Sequence, residues 1–495
     1  MAEENIFQNS EPGGYGQSEI EFNSAGNDLF VISDLHMAGG LNGNNNYTGT
    51  ENFFADYSLV RFLNHLQKKA GDKKTVLIIN GDFVDFLRVT NMPETEKDFQ
   101  EWKNSLEAIG LKKSVEELRN SIVAKEKKFG LRTNDYKSVY KLEICASGHP
   151  ALFARLAQWL DDGNTLIITK GNHDLEWFWK PVRDALRMIF AKHISSASGE
   201  SINSVLTKKI FPNTFFVDDK LIVDDDIYIE HGHRYENFCW PGENPIIVTG
   251  ELNLPFGSFL NRYLINYIEL AYPYIDNVRP GSNILPVLIR EKFFTAIKVL
   301  FYYLPFSMQL AVKNQGKQAL RYLWHFILVI VLPVLVTSLA VYLSIYLNSS
   351  SVTSGVASKP AFIVQQILDV VKNFAFLSLS YFFGRLLIKL KVSAPSEIFS
   401  NAKKIFEAPG NNYKLITFGH THDPQQEKYA DGKWYFNTGT WIPVFELDAA
   451  DVRLDKTYTF LHIQRSESSK EISAQLMRWN DDALRSEPLV LIDRE

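Results

Sequence analysis

Cysteine is almost absent from this 495-residue chain, which has only Cys145 and Cys239. That excludes a disulfide framework and suits a reducing compartment. Positive charge is not in excess either. With 52 Lys and Arg against 57 Asp and Glu, the formal charge is −5, so there is no global basic field and no nucleic-acid partner is expected. The N-terminus lacks the basic and apolar regions of a secretory signal. Its Gly, Asn, Ser and acidic residues predict a disordered tail over 1–26. There is no internal repeat and no long low-complexity tract, and the length suffices for two to four domains with a large core.

Short apolar runs are plentiful. "LFVIS" (29–33), "TVLIIN" (75–80), "TLIIT" (165–169), "IYIE" (227–230), "KLITF" (414–418) and "WYFN" (434–437) each stop at a polar or glycine-containing turn, as buried strands do. Helical patterns lie between them, at 57–69 and 150–161 for example, and the alternation predicts an α/β fold. Residues 94–144 are charged and helix-forming and predict a solvated helical insertion within a core segment spanning 27–240.

The chemistry gathers where the strands end. Asp34 and His36 follow the first run, and in an extended chain residues two apart point the same way. "GDFVD" follows the second with Asp82 and Asp85. "GNHD" follows the third with Asn172, His173 and Asp174. "HGHRYE" brings His231 and His233, and "GHTHDP" brings His420 and His422. For a lone Asp-x-His the plain reading is a strand end with a side-chain-bonded turn. Five such turns in one chain are not accounted for that way, and α/β sheets build their sites beyond the carboxyl ends of strands. Carboxylate, imidazole and an amide oxygen together suit Mn²⁺, Fe or Zn²⁺, and seven ligands are too many for one ion. Two divalent ions bridged by one carboxylate is the economical arrangement. Such pairs act on phosphates, clamping phosphoryl oxygens and making hydroxide available near neutral pH.

In their order D-x-H, G-D-x-x-D, G-N-H-D, H-G-H and G-H-x-H, these motifs resemble the calcineurin-like metallophosphoesterase superfamily. The resemblance implies a four-layer αββα sandwich and a dinuclear phosphoester hydrolase. It implies that Asp34, His36, Asp82 and His422 hold one metal, that Asp82 bridges, and that Asn172, His231 and His420 complete the second. His173 takes the leaving-group role with Asp174 orienting its ring. Three residues stay open. Asp85 either supports the ligands or only shapes a turn, His233 either touches substrate or caps its loop, and Arg234 either binds phosphate or forms a surface ion pair.

Residues 241–320 carry amphipathic helical patterns at 256–275 and 290–306, which predict either a lid or membrane-contacting insertion or a helical subdomain packed on the catalytic core. Within 321–390, residues 322–347 form an apolar stretch longer than the roughly 20 residues that cross a bilayer. His231 lies before it and His420 and His422 lie after it, so a return crossing is required, and 361–388 predicts one. Basic residues flanking this two-helix transmembrane hairpin predict a cytoplasmic catalytic domain. The core then resumes over 391–495. The sequence therefore predicts an integral membrane phosphoesterase whose partners are the lipid bilayer and a phosphorylated substrate, either lipid-linked or soluble.

Overall fold

Every residue of strands β3 (Thr75–Asn80) and all but the first of β2 (Asp28–Ile32) and β4 (Thr165–Thr169) are buried. Such continuous apolar strands are expected when both faces of a parallel sheet are covered. In the computed structural model, residues 17–236 are described throughout, as are Phe7 and most of 238–307 and 397–491; residues 310–396 lie outside the description. The chain divides into two compact units, 1–303 with 398–495 and 304–397. Nearly all of the second lies outside the described residues.

The first unit is α/β, built on a curled twelve-stranded sheet. β2, β3 and β4 run parallel, followed by the first part of β5 (Thr214–Val223). β5 then changes neighbours: residues 214–217 pair with β4, whereas 221–223 pair with β6 (Ile227–Ile229). Beyond this bend, β6 continues into β7 (Leu415–Phe418), β8 (Gln425–Ala430) and β9 (Lys433–Asn437), in the order β6-β7-β9-β8. The other edge is an antiparallel run of β10 (Thr459–Arg465), β11 (Ile472–Asn480) and β12 (Arg485–Pro488), with β10 against β2.

Side-chain alternation along each strand divides the core into apolar clusters, three of which lie among the described residues. Leu29, Val31, Val76, Ile78 and Ile167 point to one face, where they meet Ile227, Ile229, Leu415 and Phe436 from beyond the bend. The curled sheet thus packs one face on itself. Phe30, Ile32, Leu77, Ile79 and Ile168 point the opposite way, to helices α1 (Asp56–Ala70), α2 (Glu96–Ala108), α3 (Asp135–Gly148), α4 (Pro150–Asp161) and α5 (Lys180–Ser198). A third cluster joins Tyr228, Ile416, Phe418 and Tyr435 to Ile398, Ala402 and Phe406 of α6 (Glu397–Glu407). The spacing of four along α6 places these three on one side of the helix.

Several expectations are revised. Gln17–Phe22, within the tail expected over 1–26, forms β1, parallel to β5. Ile20 and Phe22 pack against the inner cluster, a two-residue alternation hidden by the flanking acids. The helices expected in 94–144 are present, two of them opened by capping boxes at Thr95 and Ser114. The two capped helices keep a solvated face, as expected, and pack the other, where Phe99, Trp102 and Leu106 enter the main cluster. The integral membrane localisation is corrected: no helix among the described residues is long and apolar enough to cross a membrane. The segments that suggested it, 322–347 and 361–388, lie outside the described residues.

Candidate metal centre

The loops after β2, β3, β4, β6 and β7 converge from both halves of the sheet. The first two are joined through their backbones. The amides of Leu35 and His36 donate to the Asp82 carbonyl at 3.0 and 2.8 Å, and Asp34 N donates to Gly81 O at 3.2 Å. From the far side, Thr440 Oγ1 donates to the Asp34 carbonyl at 2.7 Å, and Asn437 Nδ2 to Gly419 O at 2.7 Å. The "NTGTW" turn after β9 therefore braces two ligand loops at once.

Asp34, His36, Asp82, His420 and His422 all have left-handed backbones, with φ of 54°, 51°, 52°, 70° and 58°. For side chains other than glycine this costs about 1–3 kcal/mol each, and it persists where the surroundings over-determine it. Asp34 and His36 converge by this means and not through strand alternation, since β2 has already ended at Ile32. Two glycines allow the close approach. A Cβ on Gly171 would lie 2.1 Å from Asp82 Oδ1, and one on Gly81 would lie 2.3 Å from His231 Nδ1.

Among the described residues four groups could hold a metal ion, one of them His36, Asp82 and His173, and two gather the expected ligands. Asp34, His36 and His422 form one and Asp82, His231 and His420 the other, with the donor atoms of each trio within 4.8 Å of one another. His36 Nε2 lies 3.0 Å from His422 Nε2, and His422 Nε2 lies 3.3 Å from Asp34 Oδ1. Asp82 Oδ2 stands between the clusters, 3.6 Å from His36 Nε2 and 3.2 Å from His231 Nε2. Three buried atoms here make no hydrogen bond: Asp34 Oδ1, Asn172 Oδ1 and His231 Nε2. Although Asp34 Oδ1 and His231 Nε2 have ionisable neighbours at 3.3 and 3.2 Å, neither pairing has hydrogen-bond geometry. Unsatisfied buried lone pairs aimed at one region fit bound cations.

The ring tautomers fit as well. His231 Nδ1 donates to the Asn80 carbonyl at 2.8 Å, which leaves Nε2 with its lone pair toward Asp82. His36 places Nδ1 3.3 Å from Asp85 Oδ2. His420 Nε2 meets Glu236 Oε2 at 3.2 Å. Burial opposes charge throughout this cluster, yet mutual attraction outweighs it. His231 and His173 hold the Asp82 carboxylate well below its ordinary range. Against burial, Asp34, Asp85 and Asp82 lift His36 to about 10, and Asp82 and Asp34 lift His231 to about 9. Divalent ions would compete with those protons for the same nitrogens.

His173 meets Asp85, not Asp174. Its Nδ1 lies 2.7 Å from Asp85 Oδ2, while its backbone N–H donates to Asp82 Oδ1 at 2.8 Å. The expected orienting role of Asp174 is therefore corrected. Asp174 is fully buried and accepts from Gly171 N, Phe83 N and Trp177 Nε1 at 2.6, 2.8 and 2.9 Å, tying the loops after β3 and β4 together. Burial, reinforced by Asp82, pushes its carboxyl up to about 7. Asp85 is the supporting residue, held in turn by Arg88 Nε at 3.0 Å, and Arg88 pairs with Glu269. His233 belongs to none of the trios; burial, with His231 and His420 beside it, keeps its ring well below the usual imidazole range. Arg234 pairs with Asp219 at 3.8 Å.

Glu236 was not singled out from sequence. It ends the "HGHRYE" motif, and a carboxylate closing a His-x-His turn is the signal that marks it. With Cys239 and His420 it makes a further group whose donor atoms lie within 4.8 Å of one another. The chain matches no family model, and no curated protein matches it significantly in sequence. The residues and their geometry therefore carry the functional argument.

Proposed function

We propose that this chain is a dinuclear-metal-dependent phosphoester hydrolase of the calcineurin-like metallophosphoesterase kind. The observation that carries the reading is Asp82, whose one carboxylate oxygen lies within 3.6 Å of a histidine from each cluster. Helices, half-sheet, half-sheet and helix, separated by the three apolar clusters, support the four-layer αββα sandwich.

Asp34, His36, His422 and Asp82 would hold the first ion, and Asp82, Asn172, His231 and His420 would hold the second. The donor set favours Mn²⁺, with Fe or Zn²⁺ as substitutes. When bound, the ions supply Lewis-acid stabilisation of phosphoryl charge and acidify water. The protein's own contribution is positional and protonic. His173, oriented through Nδ1 by Asp85, presents Nε2 to give a proton or hydrogen bond to the departing oxygen. Asp174 and the "NTGTW" turn keep the loops in register.

The test is metal content and phosphate release on the full chain, stripped with chelator and reloaded with Mn²⁺. Two ions per chain and chelator-sensitive hydrolysis of p-nitrophenyl phosphate are expected, with Asp82→Ala losing both ions and all activity. Activity that survives chelation, or two ions retained by Asp82→Ala, would sink the reading.

A further inference from the structure

Glu236, Cys239 and His420 come from two loops that are tied together. Gly419 N donates to the His231 carbonyl at 3.1 Å, and the Tyr235 ring stacks on Phe418, the last residue of β7, with centroids 5.6 Å apart. The loop carrying Glu236 therefore starts beside the loop carrying His420. The chain then turns back, since the amides of Cys239 and Trp240 both donate to the Glu236 carbonyl, at 2.8 and 3.0 Å. This turn brings the Cys239 thiol to the Glu236 carboxylate, with Sγ donating to Oε2 at 3.7 Å. The same oxygen lies 3.2 Å from His420 Nε2.

Those separations match the edges of a zinc tetrahedron. With bonds of roughly 2.0 Å to nitrogen and oxygen and 2.3 Å to sulfur, a tetrahedral ion holds oxygen about 3.3 Å from nitrogen and about 3.5 Å from sulfur. The remaining edge, between sulfur and imidazole, is within 4.8 Å. Three protein ligands and a water complete the coordination of zinc. Of the four groups among the described residues, this one alone contains sulfur. Thiolate selects zinc, whereas manganese takes carboxylate, imidazole and water. The Glu236 side chain is 43% exposed, so an ion can arrive from solvent.

His420 belongs both to this group and to the one with Asp82 and His231, and it cannot serve both. A neutral imidazole has one lone pair and one N–H. With Nε2–H donating to Glu236, the lone pair is on Nδ1 and available to the second catalytic ion. With Nε2 bound to zinc, the proton sits on Nδ1 and that lone pair is gone.

Resting on the hydrolase reading above, we infer that Glu236, Cys239 and His420 form a third, inhibitory metal site, which takes zinc and deprives the second manganese ion of its His420 ligand. On binding, Cys239 releases its proton to water, and the ion joins thiolate, carboxylate and imidazole.

The experiment adds zinc to the full chain already holding two Mn²⁺ and follows hydrolysis of p-nitrophenyl phosphate, wild type beside Cys239→Ala. Cys239 ligates neither manganese ion, so the variant should match the wild type without zinc. One equivalent of zinc should lower wild-type turnover about tenfold or more, at least the effect of disturbing a ligand's support. The zinc concentration for half-inhibition should rise about tenfold or more in the variant, which lacks the ligand that favours zinc. A wild type indifferent to zinc overturns the inference. So does equal sensitivity of the two chains, because zinc then acts by replacing manganese. Co²⁺ in place of zinc reads the site without turnover: a near-ultraviolet sulfur-to-cobalt charge-transfer band should appear in the wild type and be missing from Cys239→Ala, Cys145 being fully buried. Absence of the band from the wild type overturns the site. If the two-manganese chain hydrolyses no ester, the hydrolase reading fails, and the cobalt band decides the metal site by itself.

Discussion

Asp85 Oδ2 serves three partners at once: His36 Nδ1 at 3.3 Å, His173 Nδ1 at 2.7 Å and Arg88 Nε at 3.0 Å. Asp85→Asn should therefore produce two separable losses. Metal affinity should fall about 10–100-fold through His36, and turnover of esters with poor leaving groups should fall about 10²–10⁴-fold through His173. His173→Ala should show only the second, which metal titration beside a leaving-group series will check. Away from the centre, His149 is buried between Asp56 at 2.8 Å and Glu51 at 3.1 Å, and Glu51 also accepts the amides of Ala38 and Gly40 behind His36. Burial opposes the charge on His149, but those carboxylates raise it from 6.5 to about 9. Its contribution, on the order of 3 kcal/mol for a shift of that size, is complete below pH 6.5 and is lost as pH rises through about 9. Denaturation midpoints should fall across that window, and His149→Gln should make the slope shallower, the rest coming from groups such as His231 that titrate in the same range; an unchanged slope would rule the residue out. The carboxylates and imidazoles that converge at the centre were legible in the sequence because they recur after strands in a repeated pattern. Glu51 and Glu236 were not, since each is a single carboxylate whose partner is supplied only by folding. Asp174 was misread because adjacency to His173 in sequence does not make the two side chains meet.

Phe256–Leu260 and Asn266–Ala271, with the turn of helix between them, are anchored to the loops that carry the site. Ser258 Oγ donates to the Asn172 carbonyl at 3.0 Å, Arg262 Nη2 to the carbonyls of Gly130 and Leu131 at 2.6 and 2.8 Å, and Asn266 Nδ2 to the Leu87 carbonyl at 2.8 Å. An amphipathic pattern was legible here, but its destination was not, because periodicity gives a face without naming what covers it. With these bonds the segment behaves as a brace for Asn172 and Asp85. Arg262→Ala leaves two buried carbonyls short of a donor and should destabilise by about 1–3 kcal/mol. It should lower turnover of small and large esters alike; a loss confined to large esters would restore a lid. The apolar strands β3 and β4 appear where the sequence placed them, since burial on both faces makes a continuous run unmistakable. β5 was missed because it changes neighbours midway and carries Asp218 and Asp219 at the turn.

Across the whole molecule, the predicted ligands run from Asp34 to His422 and come from both halves of the curled sheet. Ions bound there cross-link those halves, so Mn²⁺ should raise the melting temperature by a few degrees at saturation, and chelator should reverse it in a thermal scan. An unchanged melting temperature on loading would mean that the two halves are not tied through the centre. The α/β class was legible from alternating runs. The closure of the sheet was not, because it depends on pairings between distant residues. One pairing has a consequence for synthesis. β2 lies between β3 and β10, and Leu461 pairs with Val31. While the chain is still emerging from the ribosome, that flank of β2 waits unpaired until β10 has been translated. An open, apolar strand edge held that long invites pairing with other nascent chains. A chain stopped at residue 456 should therefore collect in the insoluble fraction to a greater extent than the full chain when both are expressed side by side. A strand made late is what shields a strand made much earlier.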